Sequence, residues 1–300
     1  MNNRYEKVEI SKFEEMIEDH NSKLSDAVGP ATAAIFKPGR IVGIPVDVGI
    51  GEALEAGKMN SVAFRQICQR LNAPYQWLKS GKCPEDLEIG IFNRMAMEHN
   101  SPLLWRFKAD ELRAVLSDKY LVYNHLDFWQ DVKNAIFGTD LINLKPMIWK
   151  PYVDNAMDAW IVFDNVDADP QSGEDPDLYD KGGFGGLRPA IHLRNTEDGT
   201  GRVRIDSGFF RSYCTNGVIF GWKSENAMAA EHLGKSPAHM EVKVALAIAD
   251  AAATCKLGID RFVASTVVKI KEDVIDKIVD EWAKVFSINT EIKKIGRAHV

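Results

Sequence analysis

Residues 194–221 read RNTEDGTGRVRIDSGFFRSYCTNGVIFG, and this stretch carries the fold assignment. Two Gly-bearing corners, Asp198-Gly199 and Asn216-Gly217, bracket short segments rich in Arg, Val, Ile and Phe. Asx-Gly dipeptides supply the positive φ that a tight reversal needs, and β-branched and aromatic residues fit a pleated, half-buried surface. The pieces Pro189–Arg194, Arg202–Ile205, Gly208–Tyr213 and Val218–Trp222 are therefore expected to form an antiparallel meander. Asn216 and Gly217 are expected to make the structural turn between Tyr213 and Val218, with Cys214 pointing inward.

Working outward, helical spacing appears on both sides of this meander. Ser11-Lys-Phe-Glu14 has the form of a capping box, and Ile10, Phe13 and Ile17 share a face, which predicts a helix over 11–24. Ile41–Gly51 is apolar and broken by Gly and Pro, the texture of a strand or an extended arm. Asn60 opens a helix carrying Phe64, Ile67, Cys68 and Leu71 on one side, followed by a second short helix over Tyr75–Lys79. These two helices are read as a packed hairpin with Tyr75, Trp77 and Leu78 in the core.

Leu103–Phe107 and Leu112–Leu116 form a hairpin pattern, and Asn124 or His125 is placed to cap a helix bearing Leu126, Trp129, Val132 and Ile136 and ending at Gly138. Leu141–Trp149 and Ala159–Phe163 have strand texture. Beyond Trp222 the chain reads as helical, with an Ala-rich run from Met240 to Cys255 and an apolar stripe through Ile275, Ile278, Val279, Trp282, Val285 and Phe286. The expected class is α+β: an antiparallel sheet core of hairpin and meander, with N-terminal and C-terminal helices. Its divisions are an N-terminal helix and arm (1–58), an α+β core (59–222) containing an acidic loop (164–181), and a helical region (223–294). Residues 295–300, IGRAHV, resemble the translation of a sequencing adapter, so the native C-terminus is expected to be missing.

The chain has 300 residues, of which 45% are hydrophobic, enough for a sizeable core. No apolar run approaches the length of about 18 residues that a membrane helix needs, and no secretory signal pattern opens the sequence. A cytoplasmic protein of a bacterial host cell, with no membrane partner, is expected. Cys68, Cys83, Cys214 and Cys255 have neither zinc-finger nor disulfide-framework spacing, so they are read as reduced packing residues. The net charge of −6 is unevenly distributed: residues 151–187 carry nine carboxylates and one lysine, −8 in all, which leaves +2 elsewhere. An acidic average therefore does not exclude a local surface for nucleic acid.

Sites for small-molecule chemistry fare poorly. His232-Leu-Gly-Lys-Ser236 looks like the end of a phosphate loop, but Ala229 stands where the first Gly belongs and no apolar strand precedes it. Gly182–Gly186 lacks the order of a dinucleotide fingerprint. Asp164, Asp167 and Asp169 fail the EF-hand rule at Ser172 and Leu178, and His192, His232 and His239 lack zinc-ligand spacing. No catalytic residue, cofactor or metal ligand is assigned. Single-stranded nucleic acid is held by cations that follow phosphates and flat side chains that stack on bases. That combination occurs in the meander, and the candidate binding residues are Arg194, Arg202, Arg204, Phe209, Phe210 and Arg211.

Several quoted segments together resemble the phage/plasmid-like protein family, defined by a domain of unknown function found on phages and plasmids. They are Phe64–Leu71 with Pro74-Tyr75, Cys83–Leu87, Leu112–Tyr120, Asn195-Thr-Glu197, Arg211–Gly217, and His232 with Gly234. Tyr123-Asn124-His125 departs from the Asp-Asn pair such proteins often carry. The resemblance implies a mobile-element setting and supplies no catalytic residues. Combined with the Arg and aromatic strands it leads to a DNA-metabolism protein that binds single-stranded DNA, acts as a homo-oligomer and aids strand annealing or recombination. The alternatives are a non-catalytic interaction protein working through the acidic loop and, third, a metal-dependent nuclease.

Overall fold

The computed structural model describes residues 7–47, 52–99, 101–163, 187–211, 228–232, 236–267 and 277. It is a mixed α+β fold with two six-stranded sheets and helices toward both termini. The acidic loop 164–181, Gly182–Gly186, the Asn216-Gly217 turn with Cys214, Val218–Trp222 and the stripe from Ile275 to Phe286 lie outside the described residues.

The first sheet has the order β2-β6-β7-β5-β4-β3, formed by β2 (Leu24–Pro30), β3 (Ile35–Lys37), β4 (Ile41–Asp47), β5 (Glu52–Met59), β6 (Pro102–Lys108) and β7 (Glu111–Ser117). The predicted β6/β7 hairpin is present. One pairing in this sheet is parallel, β5 with β7 through Lys58↔Glu111 and Met59↔Leu112, so the sheet is mixed where sequence predicts antiparallel pairing throughout. Gly57 permits that approach: a Cβ there would lie 2.7 Å from the Leu112 nitrogen and 2.8 Å from the Glu111 carbonyl carbon. Parallel strands need a crossover, and the helices between β5 and β6 provide it.

Those helices are α2 (Ser61–Arg70), α3 (Tyr75–Lys79) and α4 (Glu85–Met97). Asn60 caps α2, its side-chain oxygen accepting from the Val62 and Ala63 amides. Phe64, Ile67, Cys68 and Leu71 bury against Trp105, Phe107, Leu112 and Val115. Leu78 joins this core, whereas Trp77 of the same short helix is exposed. Beyond its short ladder with β5, β7 has an open edge, and α2 side chains occupy it. Gln66 Oε1 accepts the Val115 N–H at 2.8 Å, and Arg70 Nε donates to the Val115 carbonyl at 2.8 Å. Buried backbone groups must find partners, and here helix side chains do the work of a missing strand.

The second sheet is antiparallel, with the order β1-β8-β9-β10-β11-β12: β1 (Lys7–Val8), β8 (Pro146–Val153), β9 (Ala156–Phe163), β10 (Leu187–Thr196), β11 (Val203–Arg211) and β12 (Met228–Ala230). Its inner face packs on α1 (Ile10–Asn21), α5 (His125–Phe137) and α6 (Pro237–Val267) through a core that includes Phe13, Trp129, Ile161, Leu193, Ile205 and Val244. Asn124 caps α5 in a capping box with Asp127, as the sequence predicts.

Four sequence expectations change in detail. Helix α1 starts at Ile10 with Glu9 as an unassisted cap, because β1 runs straight into it. Glu14 instead accepts from Trp129 Nε1 and Lys133 Nζ on α5. Leu141 lies in a 3-10 turn over Asp140–Leu144, so β8 starts only at Pro146. The two expected strands Arg202–Ile205 and Gly208–Tyr213 are one continuous β11 as far as Arg211. A further strand, β12, occupies Met228–Ala230 in the region read as helical. Among the described residues no helix is long and apolar enough to cross a membrane.

Candidate functional site

Strands β6 and β7 are buried without alternation: Leu103–Phe107 and Leu112–Leu116 are all inaccessible, Arg106 and Arg113 included. A half-buried sheet would alternate, so this pair must be covered on both faces. Register explains how Arg113 is aimed. Phe107 pairs with Leu112 and Arg106 with Ala114, leaving Arg113 as the extra residue of a bulge. Strict alternation would turn Arg113 into the apolar core with Val115. The bulge brings it instead to the side that carries Arg106, a known use of such irregularities.

Both guanidinium groups meet Glu197, which follows the end of β10 in the other sheet. Arg113 Nη1 donates to Glu197 Oε2 at 2.5 Å, and both side chains have zero exposure. Arg106 Nη1 donates to the Glu197 carbonyl at 2.8 Å, its Nη2 to Asn124 Oδ1 and its Nε to Asp26. Glu197 Oε1 accepts the His125 amide at the first turn of α5, where helix N–H groups lack internal partners and favour an anion. His20, at the end of α1, lies 3.1 Å from Glu197 Oε2 through Nε2. An ionised carboxylate only accepts, so His20 Nε2 carries the proton.

His125 completes the cluster. Its Nε2 lies 2.8 Å from the Asp154 carbonyl and its Nδ1 3.1 Å from Asn195 Nδ2. A carbonyl cannot donate and an amide nitrogen cannot accept, which fixes the neutral tautomer with the proton on Nε2. Burial pushes the His125 pKa down to about 4, against the upward pull of Glu197. The 3.4 Å approach of His125 Nδ1 to Glu197 is therefore not an ion pair. Burial by itself would raise the Glu197 carboxyl. The hydrogen bond from His20, nearby positive charge and the His125 amide outweigh it and hold the group well below the usual carboxylate range.

One ligand atom each from His20, His125 and Glu197 lies within 4.8 Å of the others, a donor set that could hold a metal ion such as zinc. Charge opposes it. Arg106 and Arg113 already balance Asp26 and Glu197, and a divalent cation would share a carboxylate oxygen with the Arg113 guanidinium in a fully buried space. It would also have to displace the His20 proton and the Asn195 amide from His125. Buried charge is tolerated where it is paired and hydrogen-bonded, and the cluster meets this in part: Arg106 and Glu197 are well partnered, whereas Arg113 Nε and Nη2, His20 Nδ1 and Asn195 Oδ1 are buried with no hydrogen-bond partner among the described residues. It joins α1, β6, β7, α5 and the end of β10 at the junction of the two sheets.

The candidate binding arginines lie elsewhere. Arg194 of β10 and Arg204 of β11 face each other in register, with side chains 52% and 51% exposed. Arg202, just before β11, is also exposed. Each has a carboxylate neighbour: Asp158 at 3.7 Å from Arg194, Asp206 at 3.2 Å from Arg204 and Glu231 at 2.6 Å from Arg202. Phe209, Phe210 and Arg211 complete the backbone of β11, paired with Pro189, Arg188 and Leu187. Their side chains lie outside the described residues.

His20, Arg106, Arg113, His125 and Glu197 were not singled out as site residues from sequence. Arg113 and Glu197 do fall inside the segments that carry the family resemblance, Leu112–Tyr120 and Asn195–Glu197. His232 from a third such segment is near them: its Nδ1 lies 3.2 Å from the Leu121 carbonyl, and its ring stacks on Tyr120 at 5.0 Å between centroids. Their spatial convergence was the available signal, and linear spacing does not reveal it. No family model matches the chain, and neither a curated protein nor a solved structure shows detectable similarity to it.

Proposed function

We propose that this protein binds single-stranded nucleic acid through the outward face of β10 and β11 and performs no catalysis there. The observation that carries this reading is the cross-strand pair Arg194 and Arg204. Like charges placed directly opposite on neighbouring strands repel; Asp158 and Asp206 offset part of that repulsion, and a phosphate lying between the two guanidinium groups would relieve the rest. Arg202 continues the same row of arginines, with Asp158, Asp206 and Glu231 beside the three. Phe209 or Phe210 offers the stacking surface of this reading, on sequence grounds, since successive strand residues face opposite sides, and the resemblance to phage/plasmid-like proteins supplies its setting: DNA metabolism on a mobile element, with strand annealing or recombination as the role and a homo-oligomer as the acting form.

Titration with single- and double-stranded oligonucleotides at several salt concentrations tests it. Each phosphate contact on a single strand contributes about −0.7 to the slope of log affinity against log salt. Arg204→Ala should flatten that slope and weaken binding to all sequences alike. Absence of single-strand binding at low salt would eliminate this reading and leave the interaction protein acting through the acidic loop.

A second reading, metal-dependent chemistry, is favoured by the His20, His125 and Glu197 grouping. It has a single carboxylate and no exposure to solvent, whereas a metal nuclease needs an open coordination position that substrate can reach. Metal analysis of the purified protein distinguishes the two: stoichiometric metal lost on substitution of His20 would favour the second.

A further inference from the structure

Beside the buried cluster, a pocket of about 410 Å³ opens between the sheets. Its wall includes Arg70 from α2, Ser117 from β7, Tyr120, Thr200 and Arg202 from the β10–β11 turn, and His232. The volume falls within the ordinary range for small-molecule sites. The turn is built rather than loose. Asp198 Oδ1 accepts from both the amide and the hydroxyl of Thr200, and Gln66 Nε2 holds the Asp198 carbonyl at 2.7 Å. Gly199 has φ +74°, and a Cβ on it would lie 2.6 Å from Leu116 Cδ2, so the turn sits flush against β7.

Arg70 distinguishes this pocket. It is half-buried, uses Nε on the Val115 carbonyl, and meets no carboxylate among the described residues. Burial lowers its pKa, and no acidic neighbour among the described residues acts against that. The three exposed arginines of the sheet each have an acidic neighbour, so the unpaired guanidinium is the one that has lost water. A desolvated cation is stabilised by a hydrogen-bonded anion, and a guanidinium fork suits phosphate. Arg202 and Glu231, 2.6 Å apart, also line the pocket, so that this second cation is balanced by a carboxylate and Arg70 remains the lining cation without one among the described residues. The half-buried Tyr120 ring and the His232 ring stacked on it both line the pocket and supply flat surfaces of the kind on which bases stack.

We propose that this pocket binds a nucleoside monophosphate unit, with the phosphate on Arg70 and the base against Tyr120. This deepens the nucleic-acid reading: the unit is either free nucleotide or one residue of a strand whose remaining phosphates follow the edge from Arg202 to Arg204. The test is calorimetric titration of the full chain with a deoxynucleoside monophosphate, the matching nucleoside, inorganic phosphate and an oligonucleotide. It is repeated for Arg70→Gln and for Ser117→Phe, which fills the pocket while leaving the Val115 contact intact; melting curves establish that each variant is folded.

The monophosphate should bind at least ten-fold more tightly than either nucleoside or phosphate alone, and each folded variant should lose at least ten-fold. Failure of the wild type to bind the monophosphate overturns the proposal, as does equal binding of nucleoside or phosphate, or unchanged affinity in a folded variant. If oligonucleotides bind both variants as well as the wild type while the monophosphate does not bind, the pocket assignment fails and the sheet-face reading stands; if instead the monophosphate binds and is weakened in the variants, the pocket stands with free nucleotide as its occupant. If the monophosphate binds through Arg70 and no oligonucleotide binds, the pocket stands and the sheet-face reading fails.

Discussion

The two sheets treat arginine in opposite ways. On β10 and β11 of the second sheet, Arg194 and Arg204 alternate with buried Leu193 and Ile205 and reach solvent, each near an aspartate. On β6 and β7 of the first, Arg106 and Arg113 lie inside, in strands with no exposed face, and their partners come from distant parts of the chain. Exposed ion pairs contribute little, because water screens them and long side chains lose freedom on pairing. A buried pair contributes through what its removal leaves behind. Arg194 and Arg204 therefore add little to stability, while Arg106 and Arg113 help to hold the two sheets together.

Removing Glu197 should break this comparison most visibly. Glu197→Ala leaves Arg113 buried without its carboxylate, and losing one partner of a buried pair costs about 3–5 kcal/mol. Arg204→Ala should change stability by less than about 0.5 kcal/mol. Urea unfolding of both variants measures the contrast, and similar effects from the two would dissolve it.

Acid should act next, and in the same place. His125 is held neutral in the folded protein, its pKa lowered from 6.5 to about 4, so the unfolded chain takes up this proton more readily. Its contribution is complete above about pH 6.5 and drains away as pH falls toward 4, by on the order of 3 kcal/mol for a shift of that size. Glu197, held below its ordinary 4.5, adds further loss in the same direction at lower pH. Unfolding midpoints from pH 7 to 4 should fall, and His125→Gln should flatten that fall between pH 6.5 and 4. An unchanged slope in the variant would place the pH dependence elsewhere.

Gly57→Ala tests the crossover that makes the first sheet mixed. Backbone, rather than a flexible side chain, occupies the space a Cβ would need, so a loss of about 1–3 kcal/mol is expected. Retention of wild-type stability in thermal melts would show that β5 and β7 can separate at little cost. The smallest effect is predicted for chelation: overnight EDTA treatment should leave the melting temperature within about 1 °C. A larger drop would turn the buried cluster from an ionic junction into a metal centre, because a metal bound only by the folded state stabilises it by mass action.

Much of the architecture was legible locally. Asn60 and Asn124 announced their helices, the β6/β7 hairpin showed in its apolar runs, and the Asp198-Gly199 corner placed the turn between β10 and β11. Local signals succeed there because capping, periodicity and turn chemistry act within a few residues. They failed where a neighbour decided the outcome. Ser11 and Glu14 match a capping box, yet β1 delivers the chain into α1 one residue early and Glu14 is drawn to α5.

Sequence alone therefore determined the α+β class, the limits of α2, α3 and α5 and the uneven charge, whereas α4 went unread and α1 ends at Asn21 rather than at 24. Tertiary structure alone decided the division into two sheets, the parallel step across Gly57 and the burial of Arg106 and Arg113. The bulge at Arg113 depends on pairing with β6, and Glu197 meets Arg113 from 84 residues away. His20 and His125 are separated by more than a hundred positions, so no ligand spacing could register them. A buried charge is stable only where its partners converge on it, and that convergence is a property of the packed molecule, invisible in any short window of its sequence.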